Sequence, residues 1–351
     1  MRKSNLMGGA AILVLTILVG IGLWKTTGSI HELRAVVVRH PEGIMGTACT
    51  LAAVVGPKDE VRAEAAIAEA ESVLRGIEAR MSIWLADSEI SRFNAADEGR
   101  EVALSAETVE VLRAARAALD ATGGAFDVTC RPLIELWRRS GEAHRLPTDE
   151  ELERARASSS WALIQLTDSG AVKRAAAARV DLGGIAKGYA IDRAVDVLER
   201  AGLVGGLVDV GGDLRCFGRP PEGVRWRVEI KDPFGPGRLV EIRLPGGAMC
   251  TSGNYARFVE IEGKRYSHII DPRTGRPASA VPSATVTAQT AMEADIWATA
   301  LSVLGPPGLK VLAEADEALL ILGSARDYHI RCTEAFRSLL QNSALEMVLE
   351  D

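Results

Sequence analysis

From Ser4 to Trp24 the chain carries no charged residue, and this run governs how everything after it must fold. Arg2 and Lys3 precede the run and Lys25 closes it. About twenty such residues are enough to cross a hydrocarbon core as a helix. The run is longer than the apolar part of an ordinary secretory signal, and Val19, Gly20, Ile21, Gly22 and Leu23 offer no clean small-residue cleavage site. Residues 1–28 therefore read as a retained membrane anchor, with a removed export signal as the second reading. No cysteine lies near the end of the run, so a lipid-anchored form is not indicated. In either reading the basic residues stay on the cytoplasmic side and the remainder is exported.

That remainder has to build its own core. With 47% apolar and 25% charged residues, disordered and fibrous classes drop out. No linker-like composition shift and no repeat interrupts it, so we expect one domain over residues 36–345. The 41 Lys+Arg against 47 Asp+Glu leave a formal charge of −6 with no basic tract, a poor footing for nucleic acid. A polyphosphate ligand would need a local cation. Cys49, Cys130, Cys216, Cys250 and Cys332 are scattered without a C-x-x-C pair, which excludes the common zinc and redox motifs and suggests small buried apolar residues.

Periodicity gives an α+β mixture. Val36–Val38 and Met45–Val55 read as extended. Helical spacing runs over Ala63–Arg80, near Ser105–Ala121, over Ile191–Ala201, and from about Thr290 to Leu304. Strands are expected at Gly206–Val210, Trp226–Lys231, Leu239–Leu244, Ala318–Leu322 and Asp327–Arg331. A hairpin over Val259–Ile270 turns at Glu262 and Gly263.

Three polar stretches carry the chemistry. Asp181-Leu182-Gly183-Gly184-Ile185-Ala186-Lys187 stands before the Ile191 helix, where glycines let a phosphate approach backbone N–H groups and Lys187 adds a charge. It is neither a Walker A loop nor a G-x-G-x-x-G, and a Gly-Gly and Lys at a turn are by themselves more often structural. Asp295 and Thr299, four apart, share one face of an otherwise apolar helix. With a backbone carbonyl they make an oxygen-only magnesium site; the plainer reading is a locally paired Asp. His268, ahead of the turn Asp271-Pro272-Arg273-Thr274-Gly275-Arg276, can position a phosphate or move a proton, or simply be a satisfied structural histidine. Gly124-Ala125-Phe126-Asp127 and Met81-Ser82-Ile83-Trp84 complete the set, Trp84 offering a ring face for stacking.

The order of these stretches resembles the ApbE-type FAD:protein FMN transferases. The similarity runs through Met45-Gly46-Thr47, Met81–Asn94, Gly123–Trp137, Asp181–Gly218, Met249–Pro277 and Ser283–Gly305, and so spans about residues 40 to 340. The resemblance implies an α+β, T-fold-related catalytic domain, here behind an N-terminal transmembrane helix. It implies FAD as donor and Mg²⁺ as cofactor. The implied reaction joins FMN through a phosphoester to a Thr or Ser of a target protein and releases AMP. The implied partner is an exported or membrane-bound respiratory or electron-transfer subunit, which places the enzyme at the bacterial inner membrane, facing the periplasm. By the same resemblance Met45, Trp84, Ala125, Phe126, Asp127, Asp181, Lys187 and Ile269 fall at FAD. Gly184 (through its carbonyl), Asp295 and Thr299 fall at the metal, and His268 falls near the phosphates as the catalytic histidine, its role as acid, base or positioner left open. Two rival functions remain: a pyrophosphatase splitting FAD with water, and a non-catalytic flavin carrier.

Overall fold

The computed structural model describes residues 35–56, 58–254, 257–312, 316–340 and the backbone of 347–350. The anchor read over residues 1–28 lies outside the described residues. Among the described residues, no helix is long and apolar enough to cross a membrane.

A nine-stranded sheet forms the frame: β1 (Ala35–Arg39), β2 (Cys49–Val55), β3 (Gly205–Val210), β4 (Asp213–Gly218), β5 (Gly247–Gly253), β6 (Ser283–Ala288), β7 (Glu317–Ser324), β8 (Asp327–Thr333) and β9 (Met347–Glu350). The strands lie in chain order across the sheet, all antiparallel except β8 with β9. Every pairing is thus between sequence neighbours in the sheet, and the functional segments are excursions between adjacent strands.

Alternation along each strand feeds two cores. In β7, Ala318, Leu320 and Leu322 face one side while Leu319 and Ile321 face the other. The first side is covered by α1 (Glu60–Met81), α4 (Ala186–Arg200) and α5 (Ala291–Leu304), lying side by side. Ala63, Ala66, Ile67, Ala70, Leu74 and Ile77 of α1 make the apolar stripe that the sequence spacing announces. The second side is covered by the hairpin Trp226–Lys231/Arg238–Leu244 and by Phe336. A third, smaller cluster joins α3 (Arg131–Glu142) to the hairpin Phe258–Ile261/Lys264–Ser267 through Leu133, Leu136, Trp137, Ile261 and Ile270. Trp137 Nε1 donates to the Gly275 carbonyl at 2.8 Å and its ring stacks on Tyr266. The excursion between β2 and β3 also carries α2 (Ala106–Ala121), capped by Ser105.

Several boundaries depart from the periodic reading. The strand expected from Met45 begins at Cys49, because Met45 (φ 49°) and Gly46 (φ 66°) form a left-handed turn closed by Thr47 N to Ile44 O at 3.1 Å. The helix expected from Ile191 begins at Ala186, so Lys187 and Gly188 sit inside its first turn rather than in a loop ahead of it. The hairpin turns at Glu262 and Gly263 as expected, but Ile270 leaves it to pair with Pro277. All five cysteines are free thiols; four are buried and Cys130 is half-buried.

Candidate active site

The site forms where α4 meets α5. Gly188 makes the junction possible: a Cβ there would stand 2.2 Å from the Ala291 carbonyl oxygen and 2.6 Å from Met292 Cα. The close approach lets Gly188 N donate to Asp295 Oδ2 at 3.1 Å. A second tie comes from Asp192 of α4, whose Oδ1 accepts from Ala291 N at 2.8 Å and whose Oδ2 accepts from Met292 N at 2.9 Å. Asp192 thereby satisfies two of the open N–H groups at the start of α5, and Arg215 balances its charge at 3.0 Å.

Asp295 is buried, as its place on the apolar side of α5 requires, and burial raises its carboxyl above the usual carboxylate range. Thr299 lies one turn on. Its Oγ1 lies 3.2 Å from Ser252 Oγ, and a Cβ built on Gly184 would meet it at 3.0 Å. Thr299 thus lies against the Gly184 turn, while Asp295, one turn earlier on α5, is tied to Gly188. The donors are one buried carboxylate, one hydroxyl and backbone, an oxygen set suited to a hard cation that keeps waters and takes phosphate oxygens. Among the described residues no three His, Cys, Asp or Glu side chains form a closed metal cage. A mixed donor set of this kind fits Mg²⁺, and a cation beside Asp295 would offset the cost of its burial.

Lys187 points its ammonium at Asp213, a buried carboxylate whose Oδ1 also accepts from Thr251 N at 2.9 Å. Burial pulls the Lys187 ionisation down, but Asp213 and Asp295 outweigh it and hold the amine charged. Asp181 accepts from Arg131 at 3.0 Å and from Gly183 N at 3.0 Å, which fixes the Gly-Gly turn. Arg131 also lies 5.9 Å from the centre of the Trp84 ring, whose side chain is 74% exposed and free to stack. Asp127 is tied down differently: its Oδ1 accepts from Thr129 N at 2.8 Å and from the Thr129 hydroxyl at 2.7 Å, while Ala125 and Phe126 beside it are buried. Phe126 reaches Gly184, since a Cβ there would lie 3.2 Å from its ring.

His268 rises from the excursion between β5 and β6. Its Nδ1 lies 2.9 Å from the Arg257 carbonyl, which can only accept, so Nδ1 carries the proton and Nε2 keeps its lone pair. Burial lowers its ionisation, and the hydrogen bond to the Arg257 carbonyl offsets this only in part. Ile269 beside it is buried, with its N–H on Ser267 Oγ at 3.0 Å. Met45 packs on the helix-side core at its left-handed turn, and Thr47 in the same turn lies against Gly211, two residues before Asp213.

Four residues of this arrangement escape sequence reading: Asp213, Arg131, Asp192 and Ser252. Only Asp213 leaves a trace, as a carboxylate opening a strand directly after Gly211-Gly212, at φ 72° and 95°.

A charged lysine on a buried aspartate, at a helix junction that also holds Asp295 and Thr299, is an arrangement suited to binding a phosphate ester on an α+β frame. The chain belongs to the ApbE family, whose model matches residues 45–321. It is 37% identical over 279 residues to a FAD:protein FMN transferase of Vibrio cholerae, covering 78% of this chain and 84% of that one. The structure of the flavin transferase ApbE from Vibrio cholerae superposes with a TM-score of 0.75 at 31% identity, over 88% of this chain and 99% of that one. The ApbE protein from Thermotoga maritima gives 0.77 at 30% identity, over 88% and 100%.

Proposed function

We infer that this chain is a FAD:protein FMN transferase, moving FMN from FAD onto a Thr or Ser hydroxyl of a target protein. The observation that carries the reading is the convergence of Lys187, Asp295, Thr299 and Gly184 at the α4–α5 junction, in a chain of the ApbE family. In this reading Asp181 and Trp84 hold the flavin nucleotide, with Ala125, Phe126, Asp127, Met45 and Ile269 around it. Lys187, fixed by Asp213, neutralises the diphosphate. Asp295, Thr299 and the Gly184 carbonyl would hold Mg²⁺, which supplies charge stabilisation to the phosphate oxygens when bound. His268 Nε2 takes the proton from the acceptor hydroxyl as its oxygen attacks the FMN-side phosphorus. The bond to the AMP phosphate breaks and AMP leaves with the electron pair.

Incubating the chain with FAD, Mg²⁺ and a hydroxyl-bearing acceptor should add one FMN to the acceptor, stable to denaturation, with AMP released in equal amount. Free FMN as the main product with acceptor in excess would mean a pyrophosphatase. Flavin that leaves on denaturation with no AMP would mean a carrier. The pH profile adds a second check. Because the His268 ionisation is lowered, the free-base form persists to lower pH than for an ordinary imidazole. The acid limb of the transfer rate should therefore fall below the ordinary imidazole value of about 6.5, and His268→Ala should remove that limb while slowing transfer by about a hundredfold or more. An unchanged limb in the variant would take the proton transfer away from His268.

The same reading takes residues 1–28 as the anchor and puts the catalytic domain over residues 36–345 on the exported side, where a respiratory or other electron-transfer subunit would be the acceptor. Deleting residues 1–28 should release the enzyme from the membrane fraction with transfer intact, since no site residue precedes Met45. A truncated chain that still sediments with membranes would overturn the assignment.

A further inference from the structure

A cleft of about 530 Å³ opens between α3 and the helix Asp149–Ala157, and none of the residues assigned to FAD or metal lines it. Its walls carry four guanidinium groups, from Arg139, Arg145, Arg154 and Arg179, against two carboxylates, Glu135 and Glu151. Both carboxylates are already engaged. Glu151 takes a bidentate pair from Arg145 at 2.6 and 2.8 Å and caps its own helix through Thr148 N; Glu135 accepts from Arg131 at 2.8 Å. Arg179 donates to the Asn94 carbonyl at 2.8 Å. Arg139 has no side-chain partner among the described residues, and Arg154 has only a 3.9 Å approach to the exposed Glu150. Two uncommitted guanidinium groups, one from each helix, thus line one recess in a chain whose formal charge is −6. The uncharged lining is mostly apolar, with Pro132, Leu136, Ala155 and Ala177 beside Ser140 and Ser158.

We propose that this cleft is a second ligand site, distinct from the FAD site, for an organic phosphate of about mononucleotide size. A guanidinium fork is the donor that pairs with phosphate oxygens, and the apolar part of the lining would cover the organic body. The recess lies within the size range of small-molecule sites, roughly 300–1,000 Å³. Net protein charge would repel such a ligand, so the two arginines have to supply the attraction locally.

Calorimetric titration of the full chain in detergent with phenyl phosphate tests this, with EDTA present so that no metal recruits phosphate elsewhere. Saturable binding is expected, about tenfold tighter than that of inorganic phosphate, and weakened at least about tenfold in Arg139→Gln/Arg154→Gln. Both arginines are exposed, so the double variant should melt like the parent. Lys187→Gln should bind the probe as the parent does. No saturation up to about 10 mM, equal affinity for inorganic phosphate, or undiminished binding in the double variant would overturn the proposal. So would loss of binding in Lys187→Gln, which would place the anion in the FAD site. None of these readouts depends on flavin transfer.

Discussion

Asp295→Ala will stop FMN transfer while leaving the protein folded. The carboxylate is the one charged donor of the oxygen set, and removing it should cost at least about a hundredfold in transfer rate at fixed Mg²⁺. Two effects on stability oppose each other. The substitution leaves Gly188 N without its 3.1 Å acceptor, worth about 1 kcal/mol, but also removes a buried carboxylate close to Asp213. The melting temperature should therefore move little. Asp295→Asn sharpens the reading, because the amide oxygen can still accept from Gly188 and only the charge is lost. Turnover like that of the parent in limiting Mg²⁺, for either variant, would remove Asp295 from the metal site.

The second large effect is structural. Gly188→Ala should destabilise the protein by about 3 kcal/mol or more, although alanine is the better helix former by about 1 kcal/mol. Packing wins because the three atoms nearest to the new methyl are all backbone: Ala291 O at 2.2 Å, Ala291 C at 2.5 Å and Met292 Cα at 2.6 Å. No rotamer change relieves that, so α4 and α5 must separate and Asp295 loses its register with Gly184. Gly76→Ala is the internal control. Gly76 lies within α1 and a Cβ there meets only the flexible end of Arg80, at 3.5 Å. That substitution should be neutral or stabilising by up to about 1 kcal/mol. If thermal unfolding ranks the two variants equally, the close approach of the two helices is not what holds the site.

How much of this was legible depends on the range of the interaction. Asp295 and Thr299 are four residues apart on one helix, and local geometry alone pairs them. Lys187 and Asp213 are separated by a whole helix and a strand, and Arg131 reaches Asp181 across fifty residues of one excursion, so only the fold brings those pairs together. The strands β5 and β6 were hidden for a different reason. Ser283-Ala284-Thr285-Val286-Thr287-Ala288 does alternate polar with apolar residues, but its side chains are small and both faces are buried, the Thr251 and Thr285 hydroxyls meeting at 2.9 Å, so the weak pattern does not announce a central strand. The start of α4 was masked by Gly188, which reads as a helix breaker and is instead the contact that seats the helix. The partners Arg131, Asp192, Asp213 and Ser252 lie inside the ordered stretches of the resemblance, yet local spacing does not say which side chain each of them fixes.

Asp192 has one further consequence. The first amides of a helix lack internal partners and normally exchange with solvent deuterium almost as fast as those of a loop. Those of Ala291 and Met292 end on a buried carboxylate carried by another helix. Their exchange then requires α4 and α5 to part, so these two amides will report the opening of the whole junction rather than fraying of a helix end. A slow-exchanging pair at the head of α5 would be a native-state clock for the rigidity of the site, readable without flavin, metal or acceptor.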